Sequence, residues 1–131
     1  KGRLRPGGLL AVNVVVQGHR DPLAADVAAT LSGLFAHRLA FPTEKDPQRL
    51  GNVVLLASDA ALALPEQWIP PPASKVHAAF LDGLRQRRLD LESLGGRAIL
   101  DERNAVEVRC ASTDLLVRGT YRAHFPASVL H

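Results

Sequence analysis

The chain has 131 residues, 47% of them hydrophobic, with a formal net charge of +3 and a pI near 9.6. These values are typical of one globular domain with a modest core. They exclude a disulfide scaffold, because there is one cysteine, and a membrane span, because the longest apolar run (9–16) is too short to cross a bilayer.

The chain contains no methionine, so we expect that Lys1 is not the native first residue and that the chain belongs to a longer protein. A single cysteine fits a reducing compartment and predicts a cytoplasmic location. The densest basic group is Arg85, Arg87 and Arg88, which we interpret as a solvated helix surface. No aromatic residues alternate with the basic ones, so neither nucleic acid nor membrane is expected as a partner.

The first elements alternate between strand and helix patterns. Pro6-Gly7-Gly8 predicts a turn, and the β-branched apolar run at 9–16 predicts a buried strand of a parallel sheet. Asp21 as the N-cap and Pro22 in the first turn predict the start of an amphipathic helix over 22–36. This order indicates a strand followed by a crossover helix.

Two further strands are predicted at 38–43 and 52–58, and the tight link between them indicates a strand pair at the edge of a mixed sheet. The proline-rich stretch 65–72 predicts a loop. Ser74 is a candidate cap for a second helix, which Gly95-Gly96 would end.

The C-terminal part carries a weaker pattern. Val106, Val108 and Cys110 alternate with polar residues, which predicts a half-buried strand with the thiol on its apolar face. Residues 115–121 are predicted as another short strand. We divide the chain into residues 1–107, which form the main domain, and 108–131, a C-terminal extension.

Three segments, in chain order, carry motifs of one known family. Leu4-Arg-Pro-Gly-Gly-Leu-Leu-Ala-Val-Asn13 resembles the Lys/Arg-Pro-Gly-Gly turn and fifth strand of class I methyltransferase folds. Phe41-Pro42-Thr43 with Gly51-Asn-Val-Val-Leu-Leu-Ala-Ser58 resembles a Pro-Thr … Gly-Phe-X-Leu-Ala-Ser pattern, and Leu100-Asp-Glu-Arg-Asn-Ala-Val-Glu107 resembles Thr-Asp-Asp-X-X-Pro-Val-Glu. Together they resemble the spermidine synthase-like family.

The resemblance implies an α/β fold, the C-terminal half of a Rossmann-like methyltransferase domain. The chain would supply strands five to seven of a mixed, mostly parallel sheet with flanking helices. The implied activity is transfer of an aminopropyl or methyl group from decarboxylated S-adenosylmethionine or S-adenosylmethionine to a small-molecule acceptor. The implied partner is the upstream half of the same protein. A homodimer is a further expectation, because half a sheet would expose the unpaired edge of the strand at 9–16.

The chain departs from the family in ways that limit this expectation. No Gly-rich loop follows a strand and no ribose-binding acid is present, so no cofactor-binding residue is predicted in this chain. The family's catalytic Asp would lie upstream of Lys1, so the catalytic residues are unknown. Asn13 and Val15 take the places of the family's polyamine-binding Gln and Glu, which disfavours a diamine acceptor. A non-catalytic module for binding or dimerisation is the rival hypothesis.

The candidate acceptor-binding residues come from the family pattern and from the rule that ligands lie at the carboxyl ends of strands. They are Asn13, Gln17, His19, Thr43, Glu44, Asp101 and Glu102. His19 is a candidate base, or a solvated loop histidine. Surface or turn roles are open for the acids. The histidines lack metal-ligand spacing, so no metal site is predicted.

Overall fold

The computed structural model describes residues 4–63, 75–100 and 106–124 of the chain. In chain order the elements are β1 (Leu10–Val16), α1 (Pro22–Ser32), β2 (His37–Pro42), β3 (Gly51–Ser58), α2 (Lys75–Gln86), a 3₁₀ turn (Glu92–Leu94) and α3 (Val106–His124). Among the described helices, none combines the length and apolar character needed to cross a bilayer.

The strands form a three-stranded sheet in the order β1-β3-β2, and β3 pairs antiparallel with both neighbours. The expected mixed, mostly parallel sheet of a Rossmann-like methyltransferase half is therefore wrong. The loop 43–50 is too short for a crossover connection, so the chain reverses direction and β3 lies beside β2. β1 and β2 run in the same direction but do not touch as neighbours, because β3 lies between them.

The core lies between one face of the sheet and α1. Val14, Val16, Val53 and Leu55 project from this face and pack with the apolar side of α1. Asp21 begins α1 as predicted: its Oδ1 accepts from the backbone N–H of Leu23 at 2.8 Å. The helix ends at Ser32, earlier than the expected residue 36, and Gly33 follows as its C-cap. Burial of this face fixes α1 across the sheet.

The opposite face of the sheet is covered over β2 and open over β1. Leu39 and Phe41 of β2 are about 5% and 4% exposed, and α2 lies next to this strand. On β1, by contrast, Ala11, Asn13 and Val15 are exposed. β1 lies where the sequence predicted a strand, but the prediction that this strand is buried on both faces is wrong.

Residues 106–124 form one helix, so the two strands predicted there are wrong. Val106 and Cys110 fit a period of two, but they also fit helical spacing. On α3 they form one stripe with Thr113 and Val117. Thr113 is buried and the other three are half-buried. The single thiol therefore lies on a helix, and α3 runs across the boundary drawn between residues 107 and 108.

Asp26 of α1 holds the C-terminal elements against the domain. Its carboxylate forms an ion pair with Arg109 of α3 and accepts the backbone N–H of Arg97 at 2.9 Å. One turn along the helix, the hydroxyl of Thr30 accepts the backbone N–H of Ile99 at 2.8 Å. Two side chains of α1 thus satisfy backbone donors of a segment about 70 residues later in the chain.

Candidate functional site

The carboxyl ends of β1 and β2 meet at one end of the sheet, because these strands run in the same direction. Four predicted site residues, Gln17, His19, Thr43 and Glu44, lie in the two loops that leave this end. Asn13 lies apart from them, in the middle of β1 on the open face. Asp101 and Glu102 lie outside the described residues.

His19 joins the two loops. Its backbone N–H donates to the carbonyl of Pro47 at 2.9 Å, and its Nε2 lies 3.0 Å from the carbonyl oxygen of Glu44. Since a carbonyl oxygen only accepts, Nε2 is the donor, and Nδ1 of the neutral ring keeps its lone pair. The ring is half-buried. The arrangement orients the imidazole and leaves one nitrogen able to take a proton.

Thr43, Gln17 and Glu44 make contacts that stabilise the local structure. The Thr43 hydroxyl accepts the backbone N–H of Asn52 at 3.1 Å and closes the β2–β3 ladder. The backbone N–H of Gln17 donates to Asp21 Oδ2 at 2.7 Å. The Glu44 side chain packs over Gly51, where a Cβ would lie 2.5 Å from Glu44 Cγ. Of the predicted residues, His19 has the geometry of a reactive group.

A cleft of about 610 Å³ opens beside His19. One wall is formed by the loops after β1 and β2, and the other by the segment 88–94 that follows α2. A hydrogen bond from Leu89 N to Ala40 O, 3.0 Å long, fixes the second wall to β2. The polar residues that line the cleft are His19, Arg20, Gln48, Arg88, Asp90 and Ser93.

The charge of the cleft comes from residues that sequence reasoning missed. Arg20 and Arg88 line it, and neither has an ion pair within residues 4–63, 75–100 and 106–124. Asp90 is the acid of the lining, and its Oδ1 accepts the backbone N–H of Glu92 at 3.2 Å. Arg85 and Arg88 belong to one cluster in the sequence but have different roles, since Arg85 pairs with Asp82 while Arg88 lines the cleft.

The described residues do not fit an S-adenosyl donor. The loop after β1 is packed against the loop after β2, so closely that a Cβ at Gly18 would lie 2.7 Å from the carbonyl oxygen of Pro47. Its backbone therefore faces protein and not a ligand.

The outer edge of β1 is a second candidate site. Thr43 N donates to Asn52 O at 2.8 Å, so the backbone groups of Asn52 face β2. Because these groups alternate along a strand, those of Val53 face β1 and bond with its register partner Val14. The odd-numbered residues of β1 therefore point their backbone N–H and C=O groups away from the sheet.

These outward residues are also the exposed ones. Ala11, Asn13 and Val15 present both backbone groups and side chains, and Val15 is 42% exposed. The strand carries no charge, proline or bulge, which are the usual protections of a sheet edge. At the other edge of the sheet, the backbone N–H of Leu89 donates to the carbonyl oxygen of Ala40 in β2. Within the described part of the chain, β1 has no such cover.

A metal site has no support in the described residues, where no three His, Cys, Asp or Glu side chains lie close enough together to hold an ion. Comparisons with protein-family models, curated proteins and solved structures gave no match to this chain. The resemblance to the spermidine synthase-like family thus rests on the three sequence motifs alone, and the function inferred from it is a proposal.

Proposed function

We propose that this chain is the acceptor-side portion of a transferase that uses an S-adenosyl donor, with the donor held by an upstream part of the same protein. The observation that carries the proposal is the position of His19. It lies at the carboxyl end of β1, borders the cleft and is oriented through Nε2 by the Glu44 carbonyl. A fixed imidazole with one free lone pair is suited to deprotonate an acceptor's attacking group.

Donor binding and product analysis test this function. We expect S-adenosylmethionine or decarboxylated S-adenosylmethionine to bind the natural full-length protein and not this chain alone, as measured by isothermal titration calorimetry. Incubation with a panel of acceptors should release S-adenosylhomocysteine after methyl transfer or methylthioadenosine after aminopropyl transfer. Replacing His19 by asparagine should lower the turnover rate by about 100-fold while the donor dissociation constant is unchanged.

The matched control is His37→Asn, since His37 is an exposed histidine at the other end of the sheet. This variant should keep the wild-type rate. The proposal is wrong if the natural protein binds neither donor, or if the two histidine variants behave alike.

The open edge of β1 favours a second candidate, a non-catalytic module that assembles by strand pairing. The three outward residues of β1 are centred on Asn13, so they can pair with the same residues of a second copy in antiparallel register. Ala11 would then lie opposite Val15 of the other copy. No charged group lies on the strand to oppose this contact.

Under this second function, the chain should form a dimer of twice 14.1 kDa in light-scattering measurements at micromolar concentration. Val15→Lys places an ammonium beside the paired strand and should weaken dimerisation by at least tenfold. Leu115→Lys adds the same charge at a site on α3 that is 71% exposed and should leave the dimer intact. A chain that is monomeric at all concentrations contradicts this function.

A further inference from the structure

We propose that the cleft beside His19 binds an anionic group, a phosphate or a carboxylate, through the guanidinium groups of Arg20 and Arg88. Both line the same 610 Å³ space from opposite walls. The assignment of this anion to the acceptor rests on the transferase function proposed above. The binding of an anion in the cleft does not depend on that function.

The charges that face the cleft favour an anion. Arg20 comes from the loop after β1 and Arg88 from the segment after α2, and no described carboxylate neutralises either one. Asp90, the acid of the lining, already accepts a backbone N–H within its own turn. Two positive charges therefore face one engaged negative charge, an arrangement that attracts anions and repels amines.

The nearby acids are occupied elsewhere. Glu92 pairs with Arg38 at 3.2 Å, and Asp82 pairs with Arg85 at 2.9 Å. The side chain of Glu44 packs against Gly51. None of these three carboxylates lines the cleft, so the two arginines keep their hydrogen-bond donors for a ligand.

The walls of the cleft are held by short-range hydrogen bonds. Gln48 N donates to Asp46 Oδ1 at 2.9 Å in one wall, and the Ser93 hydroxyl donates to the Asp90 carbonyl at 2.9 Å in the other. The backbone beside each arginine is held as well, since Asp21 N donates to the Gly18 carbonyl at 3.1 Å and Leu89 N donates to the Ala40 carbonyl at 3.0 Å. A fixed backbone lowers the entropy lost on binding. A planar guanidinium donates two parallel hydrogen bonds to a phosphate or carboxylate, so Arg suits this role better than Lys.

Nuclear magnetic resonance titration of the 14.1 kDa chain tests the proposal directly. The probes are inorganic phosphate, malonate and putrescine at constant ionic strength. We expect saturable amide shifts at Arg20, Gln48 and Ser93 with phosphate or malonate, and none with putrescine. The tighter of the two anions assigns the ligand as a phosphorylated or a carboxylated compound.

Variants separate specific binding from general charge. Arg20→Ala and Arg88→Ala should each weaken anion binding by about tenfold. Arg88→Lys should recover part of the loss, because lysine keeps the positive charge but lacks the parallel N–H donors of the guanidinium. Arg49→Ala removes an exposed charge from the loop 43–50 without altering the lining and should bind like the wild type.

Circular dichroism establishes that each variant is folded. The proposal is overturned if neither anion gives saturable shifts, if putrescine binds more tightly, or if Arg49→Ala weakens binding as much as Arg20→Ala. If the chain binds phosphate but the natural protein transfers no group from either donor, the anion site is supported and the transferase function is refuted.

Discussion

Replacing Leu55 by alanine is expected to lower the free energy of unfolding by about 3 kcal/mol. Leu55 is 1% exposed in the middle of β3, where it lies between Val12 and Ala40 and faces α1. Truncation leaves a cavity in the layer where the sheet packs against α1, and this layer supports the loops that form the cleft. Urea denaturation followed by circular dichroism measures the loss.

The matched control for this prediction is the neighbouring residue. Leu56 points to the opposite face and is half-buried, so Leu56→Ala should cost about 1 kcal/mol. Equal losses for the two variants would mean that the second face is covered as fully as the first. That result would contradict the exposure of the second face at Ala11, Asn13 and Val15.

Replacing Gly96 by alanine is expected to destabilise the protein by about 2 to 3 kcal/mol through overpacking. A Cβ at this position would lie 1.9 Å from the carbonyl oxygen of Ala25 in α1, and rigid backbone cannot move aside as a flexible side chain can. The segment must therefore shift away from the helix. Because Ser93 and Leu94 of the cleft wall lie three and two residues before it, anion binding should weaken as well.

Gly119 provides the control for the glycine substitution. It lies in α3 with open space around the position of a Cβ, so Gly119→Ala should stabilise the protein by about 0.5 to 1 kcal/mol through helix propensity. Thermal unfolding of both variants decides the point. If Gly96→Ala melts at the wild-type temperature, the close packing of this segment on α1 is incorrect.

Local signals in the sequence predicted most of the elements of the first 58 residues. The Asp21-Pro22 pair placed the start of α1, since a carboxylate cap and a proline at N1 act within a single turn. The apolar runs placed β1 and β3 to within one residue. The same signals failed at 106–124, because period-two and helical patterns overlap at Val106 and Cys110 and only contacts beyond the segment decide between them.

The candidate site was predicted in part. His19 was found because it follows a strand end, and the structure places it at the cleft. Arg20 and Arg88 were not found as a pair, since they are separated by most of the domain in sequence and an arginine carries no local mark of what it faces. A charge cluster in a sequence does not show which of its members lines a cleft.

The sequence by itself determined where the chain becomes extended or helical and which side chains seek burial, because propensity, capping and hydrophobic transfer act within a few residues. Only the tertiary structure decided the direction of β3, the exposure of one side of β1 and the meeting of three loops around the cleft. These features depend on strand register and on contacts such as that between Leu89 and Ala40, which join residues far apart in the chain. Such contacts form only when the whole domain packs.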